Sequence, residues 1–147
     1  MTRTTVAIGS DHAGFDLKQV LAAYLAELGY EVLDLGTGGP ESVDYPDFGK
    51  AVAKAVAAEK ARFGVLVCGT GIGISIAANR NPQVRAALCH DHMTAELSRR
   101  HNDANILALG SRIIGVEVAK DCLRTFLTTP FEGGRHAGRV AKLSAIA

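Results

Sequence analysis

Short apolar runs alternate along this chain with segments of helical spacing, and that alternation restricts the fold more than any other feature. The first run is Val6-Ala7-Ile8-Gly9. After it, Leu17, Val20, Leu21, Tyr24, Leu25 and Leu28 recur at the spacing of one helical face, and Gly29 stands where a closing glycine is common. Glu31-Val32-Leu33-Asp34-Leu35-Gly36 is the second run. A polar loop over 37–44 leads into a helix with Pro46 in its first turn and Asp44 placed to cap it. Further runs at 65–68, 85–89 and 105–110 enclose helical segments, among them a short one over 94–100. The next helix points Val118, Ala119, Cys122, Leu123, Phe126 and Leu127 inward and stops at Thr129-Pro130. A helical tail begins near Arg135. Strands separated by helices must run parallel and be covered on both faces. The pattern predicts α/β: a single-domain, doubly wound, Rossmann-like αβα sandwich with a five-stranded parallel sheet and a C-terminal helical tail, spanning 1–147.

In such a sheet, ligands bind at the carboxyl ends of the strands. Asp11-His12 follows the first strand, Cys68 ends the third and Ser111-Arg112 follows the fifth, so all three are expected at one edge. Cys68 opens the segment Cys68-Gly69-Thr70-Gly71-Ile72-Gly73, and a helix follows. Alternate glycines let the backbone turn sharply and present several N–H groups, together with the positive end of a helix dipole. A thiol beside such donors is expected to lose its proton more readily. The spacing G-x-G-x-G differs from the dinucleotide and P-loop patterns. On this segment alone, a reactive cysteine and an inert strand-end thiol are about equally good readings.

Net charge argues against one class of partner, and cysteine usage argues against a disulfide framework. The formal charge is +1, which supplies no field for nucleic acid or an anionic membrane. The three cysteines, Cys68, Cys89 and Cys122, form no C-x-x-C pair and suit a reducing compartment. No stretch has transmembrane length, and Met1-Thr2-Arg3-Thr4-Thr5 lacks the apolar core of a signal peptide, so a cytoplasmic location is expected.

Two further groups carry candidate chemistry. His101-Asn102-Asp103 precedes strand five, at the amino end of that strand and hence opposite Cys68; a helix-terminal histidine is the alternative. Arg135 and Arg139 share a helical face, with Lys142 a turn further on, after Gly133-Gly134. Paired guanidinium forks suit a phosphate, and a solvated basic tail is the competing reading. His90-Asp91-His92 beside Cys89 has no coherent zinc spacing, so no metal site is expected.

These motifs together resemble the type B ribose-5-phosphate isomerase family, within a wider group of sugar-phosphate isomerases. The resemblance covers nearly the whole chain. It is carried by Gly9-Ser10-Asp11-His12-Ala13-Gly14, Asp44-Tyr45-Pro46-Asp47, Cys68 through Asn79, His101-Asn102-Asp103-Ala104-Asn105, Gly110-Ser111-Arg112 and Gly133-Gly134-Arg135-His136. It implies interconversion of ribose 5-phosphate and ribulose 5-phosphate through an enediolate, in the pentose phosphate pathway, with no metal or organic cofactor. It also implies a homodimer or dimer of dimers whose sites draw on two subunits, which would accommodate the displaced His101.

On that resemblance, Cys68 is the base, Thr70 orients or relays the proton and His101 opens the sugar ring. Asp11 and Asn102 hold sugar hydroxyls, and Tyr45 walls the pocket. Gly69, Gly71 and Gly73 offer the anion hole, while His12, Arg112, Arg135 and Arg139 hold phosphate. A subgroup of the family carries a glutamate base where this chain has Ile74, which leaves Cys68 as the available base here. Isomerases of allose 6-phosphate, galactose 6-phosphate or a tetrulose phosphate share these motifs. A sugar-phosphate sensor without turnover is the reading from another class; it needs neither Cys68 nor His101.

Overall fold

The computed structural model describes residues 3–145. Its elements alternate as the sequence pattern requires: β1 (Thr5–Ser10), α1 (Phe15–Glu27), β2 (Glu31–Asp34), α2 (Tyr45–Ala57), β3 (Phe63–Cys68), α3 (Ile72–Ala78), β4 (Ala86–Leu88), α4 (His92–Arg100), β5 (Ile106–Gly110), α5 (Val116–Thr128) and α6 (Arg135–Ser144). The strands form one five-stranded parallel sheet in the order β2-β1-β3-β5-β4. This is the predicted Rossmann-like sandwich.

Strand alternation divides the core in two. Val6, Ile8, Val65, Val67, Leu107 and Leu109 meet the helices α1, α4 and α5 on one face. Ala7, Leu66, Cys68, Ile106 and Ala108 meet α2 and α3 on the other. Chain order runs outward in opposite directions from the β1–β3 pair, so the loops after those strands leave toward opposite faces and open a crevice at their carboxyl ends.

Three local expectations are corrected. Leu28 is not on the buried face of α1: it lies one residue past the helix as its C-cap and is exposed, whereas Lys18 is buried in that face. Val118 is exposed because the buried stripe of α5 is centred on Ala119, Cys122, Leu123 and Phe126. Asp44 occupies the N-cap position of α2, but its side chain makes no capping bond there.

Lys18 survives burial through a short ion pair. Its ammonium donates to both carboxylate oxygens of Asp34 at 2.7 Å. The same carboxylate accepts the Gly36 N–H at 2.9 Å, so one contact ties α1 to the end of β2 and to the loop that follows.

Candidate active site

Cys68 is the last residue of β3 and is 4 % exposed. Its sulfur accepts the backbone N–H of Gly71 at 3.2 Å. Gly71 reaches that position with φ +78°, in the left-handed region that glycine enters without strain. The loop is held from below by the two residues that follow β5: Ser111 N–H donates to Cys68 O at 2.9 Å and Arg112 N–H to Gly69 O at 3.0 Å. Thr70 is exposed, and its hydroxyl oxygen accepts the Ile72 N–H at 3.2 Å. Ile74, fully buried, packs in the same core cluster as Cys68.

The crevice is closed in from several elements. Asp11, buried at the end of β1, accepts the Gly14 N–H at 3.0 Å. The neighbouring His12 accepts the Val43 N–H on Nδ1 at 3.2 Å, so the neutral ring carries its hydrogen on Nε2. Ser111 ties this turn to strand five by donating its hydroxyl to Ala13 O at 2.8 Å. The Arg112 side chain lies against Gly69, with Nη1 3.2 Å from where a Cβ would stand. Tyr45, at the start of α2, covers Gly73 so closely that a side chain there would overlap its ring. Asp11, His12, Tyr45, Cys68, Gly69, Thr70, Gly71, Gly73 and Arg112 therefore gather at the carboxyl edge of the sheet.

The other predicted residues lie at the opposite edge. His101 is the C-cap of α4, and the chain enters β5 a few residues later. At that edge Asn105 O accepts the Gly64 N–H near the start of β3. A six-residue strand such as β3 spans roughly 17 Å, so the length of the sheet lies between the turn that carries His101 and Cys68 of the same chain. The His101 ring stacks on His136 of α6, with centroids 4.2 Å apart and planes at 13°. Arg135 and Arg139 are exposed on that same helix, and Asn102 is exposed beside His101.

The turn carrying His101 and Asn102 is held by arginines that sequence reading did not single out. Arg85 donates through Nε to Asn102 O and Asp103 O at 3.1 and 3.0 Å, and through Nη1 to Ser144 of α6 at 3.2 Å. Arg99, 3 % exposed, donates to Asp103 at 2.8 Å and to Thr129 O at 3.2 Å. Asp103 between them has φ +46°. No local pattern signals this clamp; an arginine buried on the inner face of α4 is visible only once the fold is known.

His101, Glu132 and His136 place ligand atoms within 4.8 Å of one another, the one such group of three among the described residues. Lone pairs lie in the imidazole planes, and nearly parallel planes do not converge on a common ion. Burial, chiefly, and then His101 and Arg135 hold the His136 imidazole below the ordinary histidine range. At the far thiols the effect is opposite: burial pushes Cys122 up to about 12 and raises Cys89. No helix among the described residues is long and apolar enough to cross a membrane.

The chain is similar to known proteins along most of its length. The family model described as Ribose/Galactose Isomerase matches residues 6–143. Ribose-5-phosphate isomerase B of Escherichia coli (strain K12) is 49% identical over 141 residues, covering 96% of this chain and 95% of that protein. A D-erythrulose-4-phosphate isomerase of Pectobacterium atrosepticum is 42% identical over 142 residues, covering 95% of this chain and 92% of the relative. A crystal structure of a ribose 5-phosphate isomerase from Thermotoga maritima superposes with a TM-score of 0.96 at 50% identity, covering 99% of this chain and 100% of that one. A crevice at a topological switch point, a cysteine held by a glycine loop and this depth of similarity lead to one conclusion: the chain belongs to the ribose/galactose isomerase family and is an aldose–ketose isomerase.

Proposed function

We propose that the substrate pair is ribose 5-phosphate and ribulose 5-phosphate, with Cys68 as the base. The observation that carries this reading is the Gly71 N–H directed at the Cys68 sulfur inside the β1–β3 crevice. That contact occupies a sulfur lone pair and fixes the side chain beside the other loop N–H groups. Cys68 as thiolate takes the proton from C2 of the open aldose, and the electron pair forms the C1–C2 double bond of an enediolate. Return of the proton to C1 gives the ketose. Backbone N–H groups of Gly69 to Gly73 stabilise the oxyanion as it forms. Thr70 relays hydrogen between O1 and O2, Asp11 holds sugar hydroxyls, and Tyr45 walls the pocket. His12 donates from Nε2 to the phosphate, beside Arg112.

The remaining parts come from a second copy of the chain. His101 opens the furanose, Asn102 assists at the sugar, and Arg135 and Arg139 complete the phosphate clamp. The opposite-edge placement supports this arrangement. So does apolar surface next to the cysteine loop: Ile72 and Ile76, one turn apart on α3, are 51% and 59% exposed, and Ile113 is 54% exposed. A second copy docking its amino edge on that surface would bring its His101 to this crevice.

The base and the phosphate clamp act at the two ends of the substrate and do not by themselves count the carbons between them. The similarity to a D-erythrulose-4-phosphate isomerase supports a four-carbon alternative. A panel of four-, five- and six-carbon sugar phosphates ranked by kcat/KM decides between them. Ribose 5-phosphate should rank first; a tetrulose phosphate in that place would reassign the substrate. No isomerisation of any of them at high enzyme concentration would leave a sugar-phosphate sensor.

A further inference from the structure

We propose that His136 is a positioning residue for His101: the stacked, buried imidazole sets the plane in which His101 presents its N–H to the sugar ring oxygen. The inference rests on the reading of His101 as the ring-opening residue.

The packing of α6 points to this role. His136 is the one buried residue of the helix, at 6 % exposure, while Leu143 on the same helix is left 48% exposed. A helix docked for stability alone would bury its leucine and expose its imidazole. The buried ring instead lies face to face with His101, 4.2 Å between centroids. Parallel stacking blocks rotation of the outer ring about its Cβ–Cγ bond, because turning it would drive its edge into the platform.

The platform is itself anchored. His136 N–H donates to Gly133 O at 3.0 Å, across two glycines with φ +71° and +55° that start the helix. Glu132 N–H donates to Arg100 O at 3.0 Å, and Glu132 Oε1 lies 3.7 Å from His136 Nε2. Arg135 Nε lies 3.5 Å from that same nitrogen. At the far end, Arg85 joins Ser144 to Asn102. One helix thus fixes the geometry of the proposed ring opener relative to the proposed phosphate clamp.

Ring opening breaks the C1–O4 bond. O4 takes a proton from the His101 N–H, the anomeric hydroxyl releases its proton to water, and its electron pair completes the C1 carbonyl. Ribulose 5-phosphate has no furanose to open, because its O5 is phosphorylated. Exchange of its C1 hydrogen with solvent therefore needs the base but not His101.

The test compares two rates in His136→Ala: conversion of ribose 5-phosphate to ketose, and deuterium uptake from D2O at C1 of ribulose 5-phosphate, read by NMR. Conversion should fall about tenfold or more, part of the ~10²–10⁴ that general acid–base catalysis contributes. Deuterium uptake should stay within about twofold, and His136→Phe, which keeps a flat ring, should recover most of the conversion rate. If His136→Ala does not fold, His136→Gln, polar without a ring, carries the same expectation. Both rates falling together, or neither falling, overturns the proposal. His101→Ala is the control: if it too fails to separate the two rates, the ring-opening role itself is lost. If it separates them and His136→Ala does not, only the positioning role is lost.

Discussion

Gly71 donates its backbone N–H to the Cys68 sulfur from a conformation that a side chain would not tolerate. A Cβ at Gly71 would stand 2.8 Å from the carbonyl carbon of Leu109 and 2.5 Å from Cδ1 of Leu88, at φ +78°. The backbone of β5 cannot yield, so Gly71→Ala must move the loop. The left-handed conformation alone costs about 1–2 kcal/mol, and the clash adds to it. The expected outcome is a lowered melting temperature and a kcat reduced by about 10²-fold or more, because the displaced loop carries both the sulfur contact and the oxyanion donors, and one such donor alone is worth that much. Wild-type kcat in Gly71→Ala would remove this N–H from the catalytic machinery.

Cys68→Ala deletes the sulfur and little else, because the side chain is small and the loop is held by backbone bonds to Ser111 and Arg112. Turnover and deuterium uptake at C1 of ribulose 5-phosphate should both vanish, while the dissociation constant of ribose 5-phosphate changes by less than about threefold. Calorimetric titration and NMR supply the two readings. Residual deuterium uptake at near the wild-type rate would mean that another group is the base.

Much of this site follows from chain order. Asp11, Cys68 and Ser111-Arg112 each follow or end a strand, and parallel strands put their carboxyl ends together, so one edge of the site is legible in the chain order. The same rule places His101 at the other edge. Contacts between segments far apart in sequence have no such rule. The His101–His136 stack joins α4 to α6, and no periodicity links those positions. Nothing in the local pattern marks Lys18 for burial, because lysine seldom enters a core and the partner that admits it, Asp34, lies on another element. Leu28 and Val118 mark the resolution of a helical stripe read from spacing: each falls just off the buried face or past its end.

The Lys18–Asp34 pair makes an asymmetric prediction. Lys18 has 2% side-chain exposure and Asp34 41%, so the two are not equally desolvated. Asp34→Ala strands a buried ammonium and should cost about 3 kcal/mol, the lower end for breaking a buried pair, because Asp34 is partly solvated. Lys18→Met keeps the volume and leaves an exposed carboxylate, so it should cost under about 1.5 kcal/mol. Urea unfolding of both variants checks the order, and an inverted order would refute the account.

Stability should carry a pH signature from His136. Its folded-state pKa lies below the ordinary value of 6.5, held there by burial and then by His101, Arg135 and Arg139, with Glu132 pulling the other way. As pH falls through that ordinary value, the unfolded chain takes up a proton that the folded chain still refuses. Stability is therefore full above the unfolded pKa and is lost as pH falls toward the folded one. His136→Phe should flatten this part of the dependence as pH falls below the ordinary histidine value. An unchanged slope would show that the ring does not titrate against the fold.

The separation of Cys68 from His101 across the sheet makes assembly testable through activity. If each site combines Cys68 of one copy with His101 of another, then Cys68→Ala and His101→Ala damage different halves of the same site. Mixing the two variants under subunit exchange creates hybrid dimers. One site of each hybrid carries both defects, and the other carries neither. Random pairing makes half of the dimers hybrid, and one of the two sites in each hybrid is intact, so about a quarter of wild-type activity should return at full exchange. Both variants alone should stay well below that level. A structural effect of either substitution cannot produce such recovery, because it would persist in the hybrid. Mass spectrometry of isotopically labelled subunits establishes that exchange has occurred. With exchange verified and a His101→Ala defect measured, activity equal to the mean of the parents would place both residues in one chain's site and exclude the shared arrangement.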